Sequence, residues 1–212
     1  MDLESVDLAL TTTRSVRRRI DFERPVEPEV IERCIDIATQ APTGLQREAW
    51  RFLVLTEPER KADLAELYRR AFARLDELRE EFATRTGTEL PPVRPVYRAL
   101  ADRLHEMPAL ILVCSEGRPE PGDVGRQVAF YGSVLPAAWS LMIALRARGL
   151  GSTWTSLHLQ EEREAARLLD IPDDITQTVL LPTGYMKGAV LRPAPRKSAR
   201  EVTFWNRWGE RR

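Results

Sequence analysis

The chain has 212 residues, 43% of them apolar, and its 32 basic residues balance 32 acidic ones. That length accommodates one large domain or two small ones around a sizeable core, and a net charge of zero supplies no global field toward nucleic acid, a membrane surface or a polyanion. Cys34 and Cys114 each stand alone in an apolar run, and His105 and His158 are far apart, which argues against a zinc site and fits a reducing, cytoplasmic setting.

In chain order, Val30, Ile31, Cys34, Ile35 and Ala38 recur at helical spacing with charges between them, so residues 28–41 are expected as an amphipathic helix with Pro28 in its first turn. Residues 51–56 (RFLVLT) form a short β-rich run that predicts a buried strand. Helical spacing resumes over 61–82, read as one long surface helix. Residues 83–95, with three prolines, read as a loop that shapes a substrate pocket with the helix after it. Residues 108–115 (PALILVCS) predict a second buried strand. Residues 126–148 predict a helix apolar on nearly every side, hence buried on most sides, kinked at Pro136 and stopped by Gly149. A strand or strand entry at 151–156, a helix at 161–169 and a strand at 176–183 follow. The tail, 191–212, carries Phe204, Trp205 and Trp208 without an amphipathic period and needs a partner surface. No targeting or spanning segment is expected, because Gly132, Ser133, Pro136 and Ser140 interrupt the longest apolar stretch, 128–145.

Four segments have the composition of a binding site. Residues 11–19 (TTTRSVRRR) hold four arginines and a serine, a grouping that can grip a phosphate, although a solvated basic face or a nucleic-acid arm has the same composition. Residues 41–52 (APTGLQREAWRF) form a turn-rich loop feeding a strand, either a ligand loop or a plain connector. In residues 149–156 (GLGSTWTS) small side chains permit close approach to a flat ring, or merely a helix cap and a packed strand. Residues 182–185 (PTGY) read as a turn, followed by the cations Arg196 and Lys197. A nucleophile elbow, a Walker loop and a dinucleotide fingerprint are all missing, and Asp173 with Asp174 read as turn or cap residues.

In this order the four segments resemble the nitroreductase family of FMN-dependent oxidoreductases over nearly the whole chain. Arg14, Ser15 and Arg17 match an R-S-x-R phosphate motif. Residues 41–50 are similar to an A-P-S/T-G-x-N-x-Q-P-W loop, with Gln46 in place of Asn and Glu48 and Ala49 in place of Gln-Pro. The apolar helix ending in G-L-G-S before Trp154, the P-x-G-Y segment and the basic pair complete the likeness.

The resemblance implies an α+β fold with a central mixed, mostly antiparallel sheet flanked by helices. It implies a single domain over residues 1–212 and an intertwined homodimer through the long helix, with the arm from about 191 reaching over the partner. FMN would sit at the interface, held by Arg14, Ser15, Arg17, Pro42, Thr43, Gly44, Gln46, Thr153, Trp154 and Arg196. NADH or NADPH would donate a hydride and a small-molecule acceptor such as a nitroaromatic, quinone or enone would take the electrons. No catalytic side chain, metal, nucleic acid or membrane is required. A deazaflavin donor, modification of the flavin itself, and a flavin-storage role stay open.

Overall fold

The computed structural model describes residues 2–44, 47–188 and 190–212. They fall into two compact units, one within Arg14–Ala189 and one made of Met1–Thr13 and Val190–Arg212.

The larger unit is built on a sheet of four strands: β1 (Trp50–Leu55), β2 (Ala109–Glu116), β3 (Leu150–Ser152) and β4 (Ile175–Tyr185). Their order is β1-β2-β4-β3, and every pairing between these strands is antiparallel, within the mixed, mostly antiparallel sheet that the resemblance implied. β2 and β4 lie inside the sheet and are buried on both faces, so β2 is a continuous apolar run from Ala109 to Cys114, while β4 joins the apolar stretch Val179–Pro182 to the buried polar residues Thr176, Gln177, Thr178 and Thr183. Thr178 is an extra residue in β4, since Val113 faces Val179 and Cys114 faces Gln177. Its hydroxyl donates to the Val113 carbonyl at 2.7 Å, satisfying a group that the bulge leaves over.

Helix α2 (Pro28–Ala38) opens on a proline and buries Ile31, Cys34 and Ala38. It shares a core with Ile111 and Val113 of β2, Val179 and Leu181 of β4, and the inner stripe of the long helix α6 (Val124–Ala147). In α6 the Asp123 carboxylate accepts from the Arg126 N–H at 2.9 Å, and Gly149, at φ +80°, provides the left-handed turn after the last residues. The helix runs on through Pro136. Its C-terminal half is buried at Ala137, Ala138, Leu141, Met142 and Leu145. Contrary to the expectation of burial on most sides, Val124, Val128, Tyr131 and Trp139 lie open to solvent in the single chain. By length and mean hydropathy α6 would suffice to cross a bilayer; its buried inner stripe is that of a core helix.

The helix expected over 61–82 is two helices, α3 (Pro58–Ala73) and α4 (Leu75–Thr86), broken at Arg74. α3 buries Leu64, Leu67, Tyr68 and Phe72, whereas α4 buries nothing fully. No proline or glycine marks the break. The loop expected over 83–95 is correspondingly shorter, because α4 continues to Thr86 before Gly87 turns the chain. Helix α5 (Pro95–Asp102) follows, then a 3₁₀ turn at Leu104–Glu106. A second 3₁₀ turn, Leu157–Glu161, leads into α7 (Glu162–Leu168).

Residues 182–185 are not a turn: they are the end of β4. Gly184 is required there because a Cβ would lie 2.8 Å from Ile20 Cγ2 and 3.0 Å from the Pro108 ring.

In the smaller unit, α1 (Leu3–Thr12) is capped by Asp2, and the hydroxyls of Thr11 and Thr12 donate to carbonyls one turn back. This helix escapes a pattern search because Leu3, Leu8 and Leu10 are exposed. In the tail, α8 (Ala199–Val202) carries a reciprocal Ser198/Glu201 cap. The Phe204 and Trp208 rings then lie 4.6 Å apart, and Arg211 covers Phe204 at 4.8 Å.

Candidate functional site

The basic segment is folded against the sheet. Val16 N–H donates to the Ser152 carbonyl at 2.9 Å and the Thr153 hydroxyl donates to the Val16 carbonyl at 2.7 Å. Trp154 N–H donates to Ser15 Oγ at 3.0 Å. Thus Ser15 and Arg17, from one end of the unit's chain, are held against Thr153 and Trp154 from the other. Gly151 makes the contact possible, since a Cβ there would lie 2.9 Å from Val16 Cβ.

Thr153 N–H donates to the Pro182 carbonyl at 3.0 Å, and Trp154 N–H is taken by Ser15. Thr153, fully buried, fastens the basic segment, and Trp154 walls a cavity.

That cavity, of about 540 Å³, lies between the end of β3 and α3, α4 and α5. Leu90, Val93, Tyr97 and Leu100 line it, so the 83–95 segment and the helix after it do border a pocket. The Arg17 guanidinium lies over the Tyr97 ring at 4.8 Å. Its Nε is buried without a hydrogen-bond partner, and desolvation pulls the guanidinium below its usual pKa. Across the cavity, Tyr68 Oη and Thr155 Oγ1 are 2.9 Å apart, tying α3 to the strand edge; burial raises the phenol's pKa. Tyr68→Phe is expected to lower stability by about 1 kcal/mol, read as a shifted urea midpoint with unchanged slope.

A second, smaller cavity of about 250 Å³ lies on α6. Gly44 N–H donates to Ser133 Oγ at 2.9 Å, and the Trp50 indole donates to the Ser133 carbonyl at 2.7 Å, which docks the loop carrying Pro42 and Thr43 onto the helix. Arg47 and Arg51 both pair with Glu116. No described residue lines both cavities. Gln46 lies outside the described residues. Arg196 belongs to the smaller unit, where it is exposed. Among the described residues no group of three or more His, Cys, Asp and Glu is placed to hold a metal.

Sequence reasoning passed over Tyr68, Tyr97 and Ser133 as site residues. Tyr68 reads as one more apolar position on a helix face. Ser133 carries a signal of its own, a hydroxyl inside the most apolar helix.

The model of the Nitroreductase family matches residues 10–185. The chain belongs to the nitroreductase family. It is 31% identical over 184 residues to iodotyrosine deiodinase of Drosophila melanogaster, an alignment covering 85% of this chain and 62% of that protein. It is 30% identical over 178 residues to iodotyrosine deiodinase of Thermotoga neapolitana, covering 83% and 86% respectively. The chain thus spans less than two-thirds of the Drosophila protein's length. A solved iodotyrosine deiodinase bound to FMN and 3-iodo-L-tyrosine superposes with a TM-score of 0.62 at 23% identity, covering 95% of this chain and 98% of that one, which establishes the shared α+β fold.

Proposed function

We propose that this nitroreductase-family chain is an FMN-dependent oxidoreductase that takes a hydride from NADH or NADPH and passes two electrons, in ping-pong order, to a small acceptor such as a nitroaromatic, quinone or enone. The observation that carries the reading is the pinning of Ser15–Arg17 to Ser152–Trp154 at the wall of a largely apolar cavity, with Arg17 Nε buried and unpartnered. These residues fit FMN. Two arginines and a serine hydroxyl suit a phosphate or ring carbonyls, and the aromatic walls suit a flat ring. Arg14, Ser15, Arg17 and Arg196 would grip the cofactor, and the Pro42–Thr43–Gly44 loop would support it. Bound FMN supplies the two-electron chemistry. The chain's own work is to bind, orient and exclude water, and no side-chain acid or base is assigned.

The protein is read as a cytoplasmic homodimer, a single domain per chain with the 191–212 arm over the partner. Two observations support the dimer alone: the bare stripe Val128, Tyr131 and Trp139 on α6, and the separation of the Gly44 and Arg17 regions into different cavities. A second copy would complete each site with its Gly44 loop. Val128→Glu combined with Trp139→Glu is expected to give a monomer in light scattering and to weaken FMN retention at least about tenfold. A dimer with undiminished FMN affinity would refute the arrangement.

A second reading, reductive dehalogenation, is favoured by the 30–31% identical relatives named iodotyrosine deiodinase. There an aryl carbon–halogen bond is replaced by carbon–hydrogen, two electrons and one proton are consumed, and halide leaves. The test is an absorbance spectrum after FMN reconstitution and desalting, then anaerobic addition of NADH or NADPH, then of acceptor. Flavin bands that persist and bleach with donor support the oxidoreductase, and halide released from an iodophenol selects the second reading. Loss of flavin on desalting would overturn both, and retained flavin that neither donor bleaches points to storage or another donor.

A further inference from the structure

The loop between α2 and β1 is tied down at both feet: Ala41 N–H donates to the Ala38 carbonyl at 3.1 Å, and Glu116 N–H donates to the Ala49 carbonyl at 2.8 Å. Its middle is held from another element. Ser133 of α6 accepts the Gly44 N–H on its hydroxyl at 2.9 Å and the Trp50 indole on its carbonyl at 2.7 Å. The hydroxyl proton goes to the Ala129 carbonyl one turn back, at 2.8 Å, which fixes the direction of the oxygen's lone pairs. A Cβ on Gly44 would lie 3.3 Å from that oxygen, so the approach is close to the limit that a backbone without a side chain allows. Pro136 follows in α6; it has no N–H to give the preceding turn and its ring crowds that turn, and the Ser133 carbonyl there is the one that takes the indole. Ser133 also sits on the helix whose bare stripe of Val128, Tyr131 and Trp139 is read as the dimer contact.

We infer that Ser133 is the positioning residue of the cofactor site: through Gly44 it fixes the 42–44 loop to the interface helix, so that the pairing of two α6 helices sets where one copy's loop meets the flavin held by the other. This rests on the reading of that loop as part of a shared FMN site. The hydroxyl is spent on Ala129 and Gly44, so Ser133 acts through the loop and not on the cofactor. Without it, Gly44 N–H turns to water and the loop samples positions between its feet. A site that is competent for only a fraction of the time binds more weakly by that fraction, and the net worth of one neutral hydrogen bond corresponds to about fivefold.

The test is FMN titration of the full chain, read by flavin fluorescence and by the visible circular dichroism of the bound flavin. Ser133→Ala is expected to weaken FMN about fivefold and to alter the dichroism. The melting temperature of the flavin-free variant should not fall, because alanine is the better helix residue, whereas a merely structural role would lower it. Ser133→Thr, whose hydroxyl bonds the same carbonyl one turn back, should restore the affinity to within about twofold of the parent. In the Val128→Glu/Trp139→Glu background Ser133→Ala should cost nothing further, since the loop has no partner flavin to meet. In flavin-free protein the Gly44 N–H should exchange with solvent about fivefold faster in Ser133→Ala. Undiminished FMN affinity in Ser133→Ala, equal losses in the alanine and threonine variants, the same loss in the monomeric background, or unchanged exchange at Gly44 would each overturn the inference. A parent that retains and reduces FMN, with a Ser133→Ala variant indistinguishable from it, fails only here. A parent that retains no FMN fails as an oxidoreductase, and this role falls with it.

Discussion

Acidification from pH 6.5 to pH 4 is expected to cost the larger unit on the order of 3 kcal/mol through His158 alone. The imidazole is fully buried, neither ring nitrogen has a hydrogen-bond partner, and desolvation pushes its pKa down from 6.5 to about 4. Above pH 6.5 the ring is neutral folded or unfolded, so it contributes no pH dependence. Between 6.5 and 4 the unfolded chain takes up a proton that the folded chain refuses, and stability falls; below about 4 both forms are protonated and the loss levels off. Urea unfolding of flavin-free protein at pH 7.5, 5.5 and 4, at one protein concentration, measures it. His158→Leu removes the titrating group, so the gap between variant and parent should widen in the variant's favour as pH falls. A constant gap would show that the ring finds a proton acceptor.

Gly151→Ala is expected to lower stability by roughly 2 kcal/mol and the melting temperature by about 5 °C. Val16 Cβ and Cγ1 lie 2.9 and 3.0 Å from the new methyl, and Val16 Cβ cannot swing away, so the segment carrying Ser15 and Arg17 must shift. The bonds from Val16 N–H to Ser152 and from Trp154 N–H to Ser15 then stretch together. FMN affinity should drop about tenfold in the same variant. A Gly151→Ala protein with parental melting temperature and flavin affinity would detach the basic segment from the site.

Much of the fold is legible in the sequence because its strands and core helices are fixed by apolar pattern. α2 begins at Pro28, β1 and β2 fall within one residue of expectation, and α6 ends before Gly149. What was missed depends on tertiary contact. The break at Arg74 has no local breaker; it separates a helix that packs on the core from one that does not. Residues 182–185 have a turn's composition, yet pairing with β2 and β3 holds them in β4. In the site, the four motifs direct attention to Arg14–Arg17, Gly44 and Trp154, since arginine runs and small residues are unusual locally. Tyr68, Tyr97 and Ser133 were hidden because an aromatic ring or a hydroxyl on a helix becomes meaningful only when another element is brought opposite it.

The roof of the cavity beside Arg17 and Tyr97 has a kinetic consequence. α4 carries Leu78 and Phe82 toward the cavity and buries no side chain fully, so little beyond its own backbone bonds resists its opening. Its amide protons are therefore expected to exchange with solvent through local opening far sooner than those of α3, and Arg79 and Arg85 to be early tryptic cleavage points. An occupant of the cavity would give those side chains a surface to rest on. Protection of residues 75–86 from deuterium exchange then becomes a direct gauge of occupancy, readable without turnover.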